Sequence, residues 1–220
     1  MALTLYGAFR SRASRNIWLL KELGAPFIHV PVLQTDRVAN PQAPDAPINT
    51  MSPAFRKINP NGLIPSLADD DLVLHESLAI NLYLAKKLGG KLAPKDLKED
   101  ALMTMWSIWA MTECEPHSIL ILYHRMAKPE NERNPALAEA AEIAIQRPLD
   151  VLEAHLKAHG GFIVGNRFSV ADINLAEVVR YAQASPSLFQ NRPHLQAWIE
   201  ACQARPAFKA MMAERNAEPA

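Results

Sequence analysis

A serine stands where the first predicted helix of the chain begins. Ser11 follows a short apolar run that ends at Gly7, and Ile17, Leu20 and Leu23 then recur at helical spacing. Serine is a preferred N-cap residue, worth about 0.5–2 kcal/mol over alanine, and a hydroxyl and a helix N-terminus both favour a nearby anion. The sequence close to Ser11 contains no histidine or aspartate that would suggest a hydrolase triad. The position therefore predicts a cap or a hydrogen-bond donor rather than a nucleophile.

Two further motifs lie at predicted element boundaries. Glu76 and Ser77 open a second helix, where a carboxylate and a hydroxyl would ordinarily be capping groups. Ile64-Pro65 opens a predicted strand, and a proline there is unusual unless it serves a turn or a cis peptide bond. An ordinary proline at the entry of a strand is the alternative. Each of these motifs is weak evidence of function by itself.

An aromatic stripe is predicted on a helix in the second half of the chain. Trp106, Trp109, Glu113 and His117 fall three or four residues apart. Such a stripe is more often core than pocket, but tryptophan mixed with Glu113 and His117 is unusual for pure core, and Pro116 could kink the helix. Both interpretations stay open. Nearby methionines could add a pliable apolar lining: Met103, Met105, Met111 and Met126.

The composition excludes several classes of partner. The 220 residues include 23 basic and 23 acidic ones, so no net positive field exists to hold nucleic acid. Cys114 and Cys202 form no CxxC pair, zinc spacing or disulfide framework, which suits a reducing, cytoplasmic compartment. The sequence has no signal-peptide core and no apolar run of membrane-spanning length. We therefore expect a soluble protein that binds neither nucleic acid nor membranes.

The first third of the chain alternates strands and helices. The patterns predict a mixed sheet with helices packed on it, in the order β-α-β-loop-β-β-α. Gly24 is expected to end the first helix, and Pro31 to place the second strand at an edge or to mark the end of that strand. The predicted elements are strands over 3–7, 27–32, 63–67 and 72–74, helices over 11–23 and 76–88, and a long loop over 34–56 with at most a short helix.

The rest of the chain is predicted to be all-helical. Residues 89–95 are rich in glycine, proline and lysine and form the best linker. Ser169 and Asp172 form a capping box, for which we expect a structural role only. The sequence thus predicts domains at 1–88 and 96–220, with helices over about 97–127, 135–158, 170–183, 193–202 and 206–214.

Five segments in this order resemble the cytosolic glutathione transferases, bacterial-type and with a serine-type active site. The resemblance covers nearly the whole chain and implies an α/β thioredoxin-like N-terminal domain followed by an all-α helical C-terminal domain. The segments are LYGAFRSRASRNIWLLKELG (Leu5 to Gly24), INPNGLIPSL (Ile58 to Leu67), HESLAI (His75 to Ile80), FSVADI (Phe168 to Ile173) and RPHLQAWIEACQARPA (Arg192 to Ala207).

The resemblance implies that Ser11 donates a hydrogen bond to the sulfur of glutathione and so stabilises the thiolate. Each unit by which the thiol pKa falls requires roughly 1.4 kcal/mol. Ser14 could be the cap or the donor instead. Tyr6 occupies a strand position that some members of the family use for a tyrosine hydroxyl, although here we expect its side chain to pack in the sheet. The loop before Ser11 has no cysteine, which disfavours thiol-disulfide exchange.

The same resemblance implies the other contacts to glutathione. The backbone of Ile64 would pair with the cysteinyl part, with Pro65 in the cis form. Glu76 would bind the ammonium of the γ-glutamyl end, while Ser77 and the helix amides receive its carboxylate. The glycyl carboxylate needs a cation, and Lys57, Arg37 and Arg56 are candidates, of which we name Lys57.

The second substrate is implied to be an apolar electrophile, attacked at carbon by the glutathione thiolate without metal or nucleotide. In the family the helices that carry the aromatic stripe face the sulfur across the domain cleft. The implied pocket residues are Phe9, Trp106, Trp109, Glu113 and His117. Glutathione-dependent isomerase or peroxidase activity, and a non-catalytic binding or regulatory role, are the alternatives. The family also implies a homodimer.

Overall fold

The computed structural model describes residues 3–219. Within them the chain divides into two units, each of which is described by itself. The first unit contains the residues up to Gly90 and those from Pro206 onward, and the second contains Lys91–Arg205. The sequence assigned residues 206–220 to the helical domain, whereas the structure groups the described part of that segment with the first unit.

Within the described residues, four strands form one mixed sheet. β1 pairs in parallel with β2 and antiparallel with β3, and β3 pairs antiparallel with β4, which gives the order β2-β1-β3-β4. The mixed sheet and the edge position of β2 confirm the sequence prediction. The strands are β1 (Thr4–Tyr6), β2 (Ile28–Val30), β3 (Ser66–Asp69) and β4 (Leu72–His75).

The third strand begins later than the sequence suggested. The apolar run predicted a strand over 63–67, but β3 starts at Ser66, directly after Pro65. Proline has no N–H to donate to a sheet ladder, so regular pairing can begin only after it.

The helices follow the predicted order. The first unit contains α1 (Ala13–Leu23), α2 (Pro53–Arg56) and α3 (Ser77–Leu88). The second unit contains α4 (Leu97–Trp109), α5 (Glu115–Leu122), α6 (Pro135–Ala144), α7 (Gln146–Ala158), α8 (Val170–Val179) and α9 (Pro193–Ala204). α10 (Pro206–Ala217) belongs to the first unit. The thioredoxin-like order and the helical second unit confirm the predicted fold class.

Aromatic packing joins α10 to α1. Trp18 is fully buried, and its ring meets that of Phe208 edge-on at 5.0 Å between centroids. Lys21 and Glu214 add an ion pair at 2.8 Å on the same side of α1. The apolar face of α10 is therefore buried within the first unit, which explains why the segment groups there.

Gly24 ends the first helix as the sequence predicted, and the hydrogen-bond pattern of a later helix changes just before Pro116. Gly24 has a φ of 60° and its N–H donates to the Lys21 carbonyl, which ends α1 in the left-handed conformation that glycine permits. Pro116 has no N–H to donate to the carbonyl one helical turn earlier. The helix before this proline contains a π-helical turn, Ala110–Cys114, and the Glu115 N–H donates to the Ala110 carbonyl.

A bidentate ion pair holds the segment predicted as a linker. Arg167 donates to both carboxylate oxygens of Glu99, at 2.8 and 2.6 Å, and also to the carbonyls of Lys91 and Ala93. The hydrogen bonds from Arg167 hold the pKa of Glu99 down at about 2, against the opposing effect of burial. The residues after Gly90 are thus fastened to the second unit.

We expect the Glu99–Arg167 pair to make stability depend on acid pH. Because the folded pKa of Glu99 is depressed, its contribution is present above about pH 4.5 and is lost as pH falls towards 2. Glu99→Gln should lower the free energy of unfolding by about 2 kcal/mol at neutral pH, and the difference from the parent should shrink at about pH 3. Urea denaturation at both pH values measures it, and a difference that does not change with pH would contradict the assignment.

Candidate active site

The hydroxyl of Ser11 lies at the start of α1. Its Oγ accepts from the Ala13 N–H at 3.0 Å and donates to the Ala8 carbonyl at 2.6 Å. The Ser11 side chain, two residues before α1, therefore accepts from the first amide of the helix, and it is only partly buried. A hydroxyl that already accepts from a helix amide can turn its own proton towards an anion at the same helix end.

The two alternatives to Ser11 lie in different surroundings. Ser14 is fully buried in the first turn of α1. Tyr6 is half-buried in β1, with its ring 6.4 Å from that of Phe55. Of the three hydroxyls, Ser11 is the one at the junction between loop and helix, and the packing of Tyr6 beside Phe55 agrees with a place in the sheet.

The Ile64-Pro65 peptide bond is cis, as the family resemblance implied. Pro65 is buried and Ile64 is half-buried. This turn lies against the loop that follows β1, because a Cβ added at Gly7 would come within 3.7 Å of both the Ile64 Cβ and the Pro65 Cα, and within 2.7 Å of the Ala13 Cβ. The structure thus brings the proline motif next to the helix start that follows Ser11.

Glu76 and Ser77 differ in exposure although they are adjacent. Glu76 is exposed, has a φ of 66° and makes no side-chain cap to α3. A positive φ is uncommon for a residue with a Cβ, and such conformations concentrate at functional sites. Ser77 is buried. The capping interpretation therefore does not apply to the Glu76 side chain, whose carboxylate faces water beside a buried hydroxyl.

A buried polar network connects the starts of α1 and α3. Arg15 is 1% exposed, and its Nη1 donates to the Ser77 Oγ at 3.1 Å. Asn16 donates to the Ser77 carbonyl at 2.8 Å and to the Asn81 side chain at 2.7 Å. A buried guanidinium behind a hydroxyl makes that hydroxyl a better site for a carboxylate.

The residue types and spacing of the sequence did not predict this network. Arg15 was counted only among the basic residues, yet it lies four residues before Leu19, which is fully buried. A charged residue at helical spacing from the apolar face was the available signal. Its partner on α3 could not be identified from local spacing.

The three candidate cations for a glycyl carboxylate have different surroundings. Lys57 and Arg56 are exposed, and Arg56 donates to the Thr50 carbonyl at 3.4 Å. Arg37 is paired with Glu218 at 3.2 Å and donates to the Pro219 carbonyl at 2.5 Å.

In the second unit, Trp106 and Trp109 lie in an aromatic cluster. Trp106 is 6% exposed and packs 5.0 Å from Trp109 and 4.5 Å from His155, measured between ring centroids. Burial lowers the pKa of His155. Of the other residues on the predicted stripe, Glu113 is paired with Arg147 and His117 is half-buried.

The remaining predicted pocket residues are distributed as follows. Phe9 belongs to the first unit, where its ring meets that of His29 edge-on at 4.9 Å. Among the methionines, Met103 is fully buried while Met105, Met111 and Met126 are exposed.

Residues 3–219 contain neither a candidate metal site nor a candidate membrane-spanning helix. No grouping of histidine, cysteine or acidic side chains there could hold a metal ion. In the same part of the chain, no helix has both the length and the apolar character needed to cross a membrane.

The chain matches known proteins over nearly its whole length. The family model for the glutathione S-transferase N-terminal domain matches residues 9–87, and the model for the C-terminal domain matches residues 111–206. Glutathione S-transferase 3 of Zea mays is 34% identical, covering 96% of this chain and 93% of that protein.

Solved structures agree with these matches. The theta class glutathione S-transferase of the citrus canker pathogen Xanthomonas axonopodis pv. citri, with glutathione bound, has a TM-score of 0.80 at 28% identity, covering 95% of this chain and 96% of that one. Ure2p5 from Phanerochaete chrysosporium, cocrystallized with 1-(S-glutathionyl)-2,4-dinitrobenzene, has a TM-score of 0.78 at 25% identity, covering 98% and 95%. The chain therefore belongs to the glutathione S-transferase family of enzymes.

Proposed function

We propose that this chain conjugates glutathione to apolar electrophilic small molecules. The thiolate electron pair attacks an electrophilic carbon, a carbon–sulfur bond forms, and the leaving group departs with its electrons. Ser11 donates a hydrogen bond to the sulfur, which lowers the thiol pKa and raises the thiolate fraction at neutral pH.

The observation that carries the proposal is the buried hydrogen bond from Arg15 to Ser77. Arg15 lies on α1, four residues after Ser11, and Ser77 opens α3. The bond at 3.1 Å thus joins the element that carries the sulfur donor to the element that carries the proposed γ-glutamyl site. One rigid framework then sets the distance between the two ends that must bind one tripeptide.

The proposed catalytic change at Ser11 is a rotation of its hydroxyl. The Ser11 hydroxyl, which donates to the Ala8 carbonyl, rotates to donate to the sulfur instead. The Ala13 N–H continues to donate to the Ser11 Oγ. The second bond increases the polarity of the hydroxyl and holds the oxygen in place.

The rest of the glutathione site is proposed by the same logic. Glu76 binds the α-ammonium, and Ser77, backed by Arg15, binds the α-carboxylate. The backbone of Ile64, presented by the cis bond to Pro65, pairs with the cysteinyl part. Lys57 is our choice for the glycyl carboxylate, because it is exposed whereas Arg37 is already paired.

From the family resemblance, the residues proposed to contact the electrophile are Phe9 of the first unit and Trp106, Trp109, Glu113 and His117 of the second. The dinitrobenzene conjugate with which the relative from Phanerochaete chrysosporium was cocrystallized supports an aromatic electrophile. A cytoplasmic homodimer is proposed on the same basis. Both cysteines are free and buried, and burial raises the pKa of the Cys114 thiol to about 12, so this thiol is not expected to compete with glutathione as a nucleophile.

Replacing Glu76 with glutamine tests the site. Glu76→Gln should weaken glutathione binding about 10- to 100-fold, because a hydrogen bond to a charged group is lost. Calorimetry with glutathione, and with its analogue that lacks the α-amino group, measures the effect. Parent and variant should bind the analogue alike, since only the ammonium contacts Glu76. Asp71→Asn, another exposed acid of the same unit, is the matched control and should leave both affinities unchanged.

Conjugation of a chloronitrobenzene then separates the functional alternatives. The proposal requires the parent to form the conjugate, and Glu76→Gln to lose activity in proportion to its weaker binding at low glutathione. Glutathione binding without conjugation, but with isomerase or peroxide-reducing turnover, would favour those activities. Binding with no turnover of any kind would favour a non-catalytic role, and failure to bind glutathione would overturn the proposal.

A further inference from the structure

The segment after α10 contacts the loop that leads to Ser11. One carboxylate oxygen of Glu218 accepts from the backbone N–H of Phe9, and the other accepts from that of Arg10, both at 2.8 Å. The two donors are the amides of the two residues that directly precede Ser11. A single carboxylate therefore holds both amides of the loop in one orientation.

The same two residues also contact Arg215 on α10. Arg215 donates to the Phe9 carbonyl at 2.5 Å, and the Arg10 side chain donates to the Arg215 carbonyl at 3.3 Å. Phe9 is thus bound through both its N–H and its carbonyl. The loop is held from one side by the last turn of α10 and by Glu218.

Arg37 also binds Glu218. Its guanidinium donates to Glu218 at 3.2 Å and to the Pro219 carbonyl at 2.5 Å. The side chains of the pair are only 18% and 13% exposed, so water screens the interaction poorly. Gln34 completes the arrangement by donating to the Arg10 carbonyl at 3.1 Å.

These contacts affect the position of the Ser11 hydroxyl, because that hydroxyl is hydrogen-bonded to the same loop. The hydroxyl donates to the Ala8 carbonyl, which belongs to the same peptide group as the Phe9 N–H that donates to Glu218. A shift of the peptide between Ala8 and Phe9 would therefore move both the Glu218 contact and the acceptor of the Ser11 proton. Misplacement of about 1 Å is enough to lower a reaction rate substantially.

We propose that Glu218 is a positioning residue for Ser11: its carboxylate fixes the Phe9 and Arg10 amides so that the Ser11 hydroxyl meets the glutathione sulfur in the correct orientation. The inference rests on the proposed function. It gives the segment after α10 a role in the reaction, and all the residues that carry this role belong to the first unit.

A purely structural role is the competing interpretation, because α10 also anchors itself to α1. Glu214 separates the two. It lies on α10 and pairs with Lys21 at 2.8 Å, and among the described residues it makes no hydrogen bond to the loop from Ala8 to Ser11. Glu214→Gln is therefore a control that removes a helix contact but not the loop contact.

The experiment compares Glu218→Gln, Glu214→Gln, Ser11→Ala and the double variant Ser11→Ala/Glu218→Gln in the full chain. Glu218→Gln should lower kcat for chloronitrobenzene conjugation about tenfold, with little change in KM for glutathione, and should raise the apparent pKa of the kcat/KM profile. Glu214→Gln should do neither. In the Ser11→Ala background Glu218→Gln should have little further effect, because it acts through that hydroxyl.

Hydrogen exchange gives a readout that does not depend on turnover. The Phe9 and Arg10 amides should exchange faster in Glu218→Gln but not in Glu214→Gln. If the parent conjugates and Glu218→Gln matches it in kcat and pH profile, or if the two losses simply multiply in the double variant, the positioning role is overturned while the proposed function stands. A parent that binds glutathione without conjugating overturns both.

Discussion

Ser11→Ala is expected to lower kcat/KM for conjugation about 10- to 100-fold at about pH 6.5, which corresponds to the loss of one hydrogen bond to a charged group. Because the hydroxyl stabilises the thiolate, its removal should raise the apparent pKa of the bound thiol towards the free value of about 8.5. The deficit should therefore shrink as pH rises past that value. Steady-state rates across pH, with the ultraviolet absorbance of the bound thiolate, measure both effects.

Substitutions at the same position separate the catalytic hydroxyl from the helix cap. Alanine also removes the acceptor of the Ala13 N–H, worth about 0.5–2 kcal/mol of stability. Ser11→Thr keeps cap and donor and should retain most activity. Ser11→Asp keeps a good cap but places negative charge beside the sulfur. This variant should therefore fold and should be less active than Ser11→Ala.

The fully buried Ser14 provides the matched control in the same helix turn. Ser14→Ala should change kcat/KM by no more than about twofold, since its side chain lies inside α1's packed face. Loss of activity in Ser14→Ala together with an active Ser11→Ala would transfer the donor role to Ser14.

Asp172→Ala is expected to have the largest effect on stability, about 4 kcal/mol. Asp172 is fully buried and accepts four hydrogen bonds: from the backbone and hydroxyl of Ser169 at 2.9 and 3.0 Å, from the Ile163 N–H at 3.1 Å and from the Trp198 indole at 2.9 Å. Burial raises the pKa of Asp172 to about 6 although these donors oppose it, so at neutral pH the group is largely ionised. Truncation would leave buried donors without their acceptor.

Urea denaturation followed by circular dichroism and tryptophan fluorescence measures this loss. Asp150→Ala is the control, because Asp150 is a 67% exposed acid of the same unit that pairs with Arg192, and such pairs contribute about 1 kcal/mol or less. The indole fluorescence of Trp198 should change in Asp172→Ala and not in the control. Equal losses in the two variants would show that the capping box is not the source of stability.

Much of the fold could be predicted because its signals are local. The end of α1 at Gly24 depends on a backbone conformation that glycine adopts easily, and the capping box at Ser169 and Asp172 depends on residues three apart. The start of β3 was misplaced because the apolar run hid the missing donor of Pro65. Ser11, Ile64, Pro65, Glu76 and Ser77 were all named from sequence motifs, and their roles remain proposals.

The sequence by itself determined which residues could do the chemistry, while tertiary structure decided what supports them. From the sequence, Arg15 was only a charged residue on a predicted helix. The packing of α1 against α3 buries its side chain beside Ser77. Glu218 is 209 residues from Phe9, and only the docking of α10 on α1 brings its carboxylate to that amide. The physical reason is that helix periods and caps act over a few residues, whereas a buried hydrogen bond depends on which surfaces meet after the chain has folded.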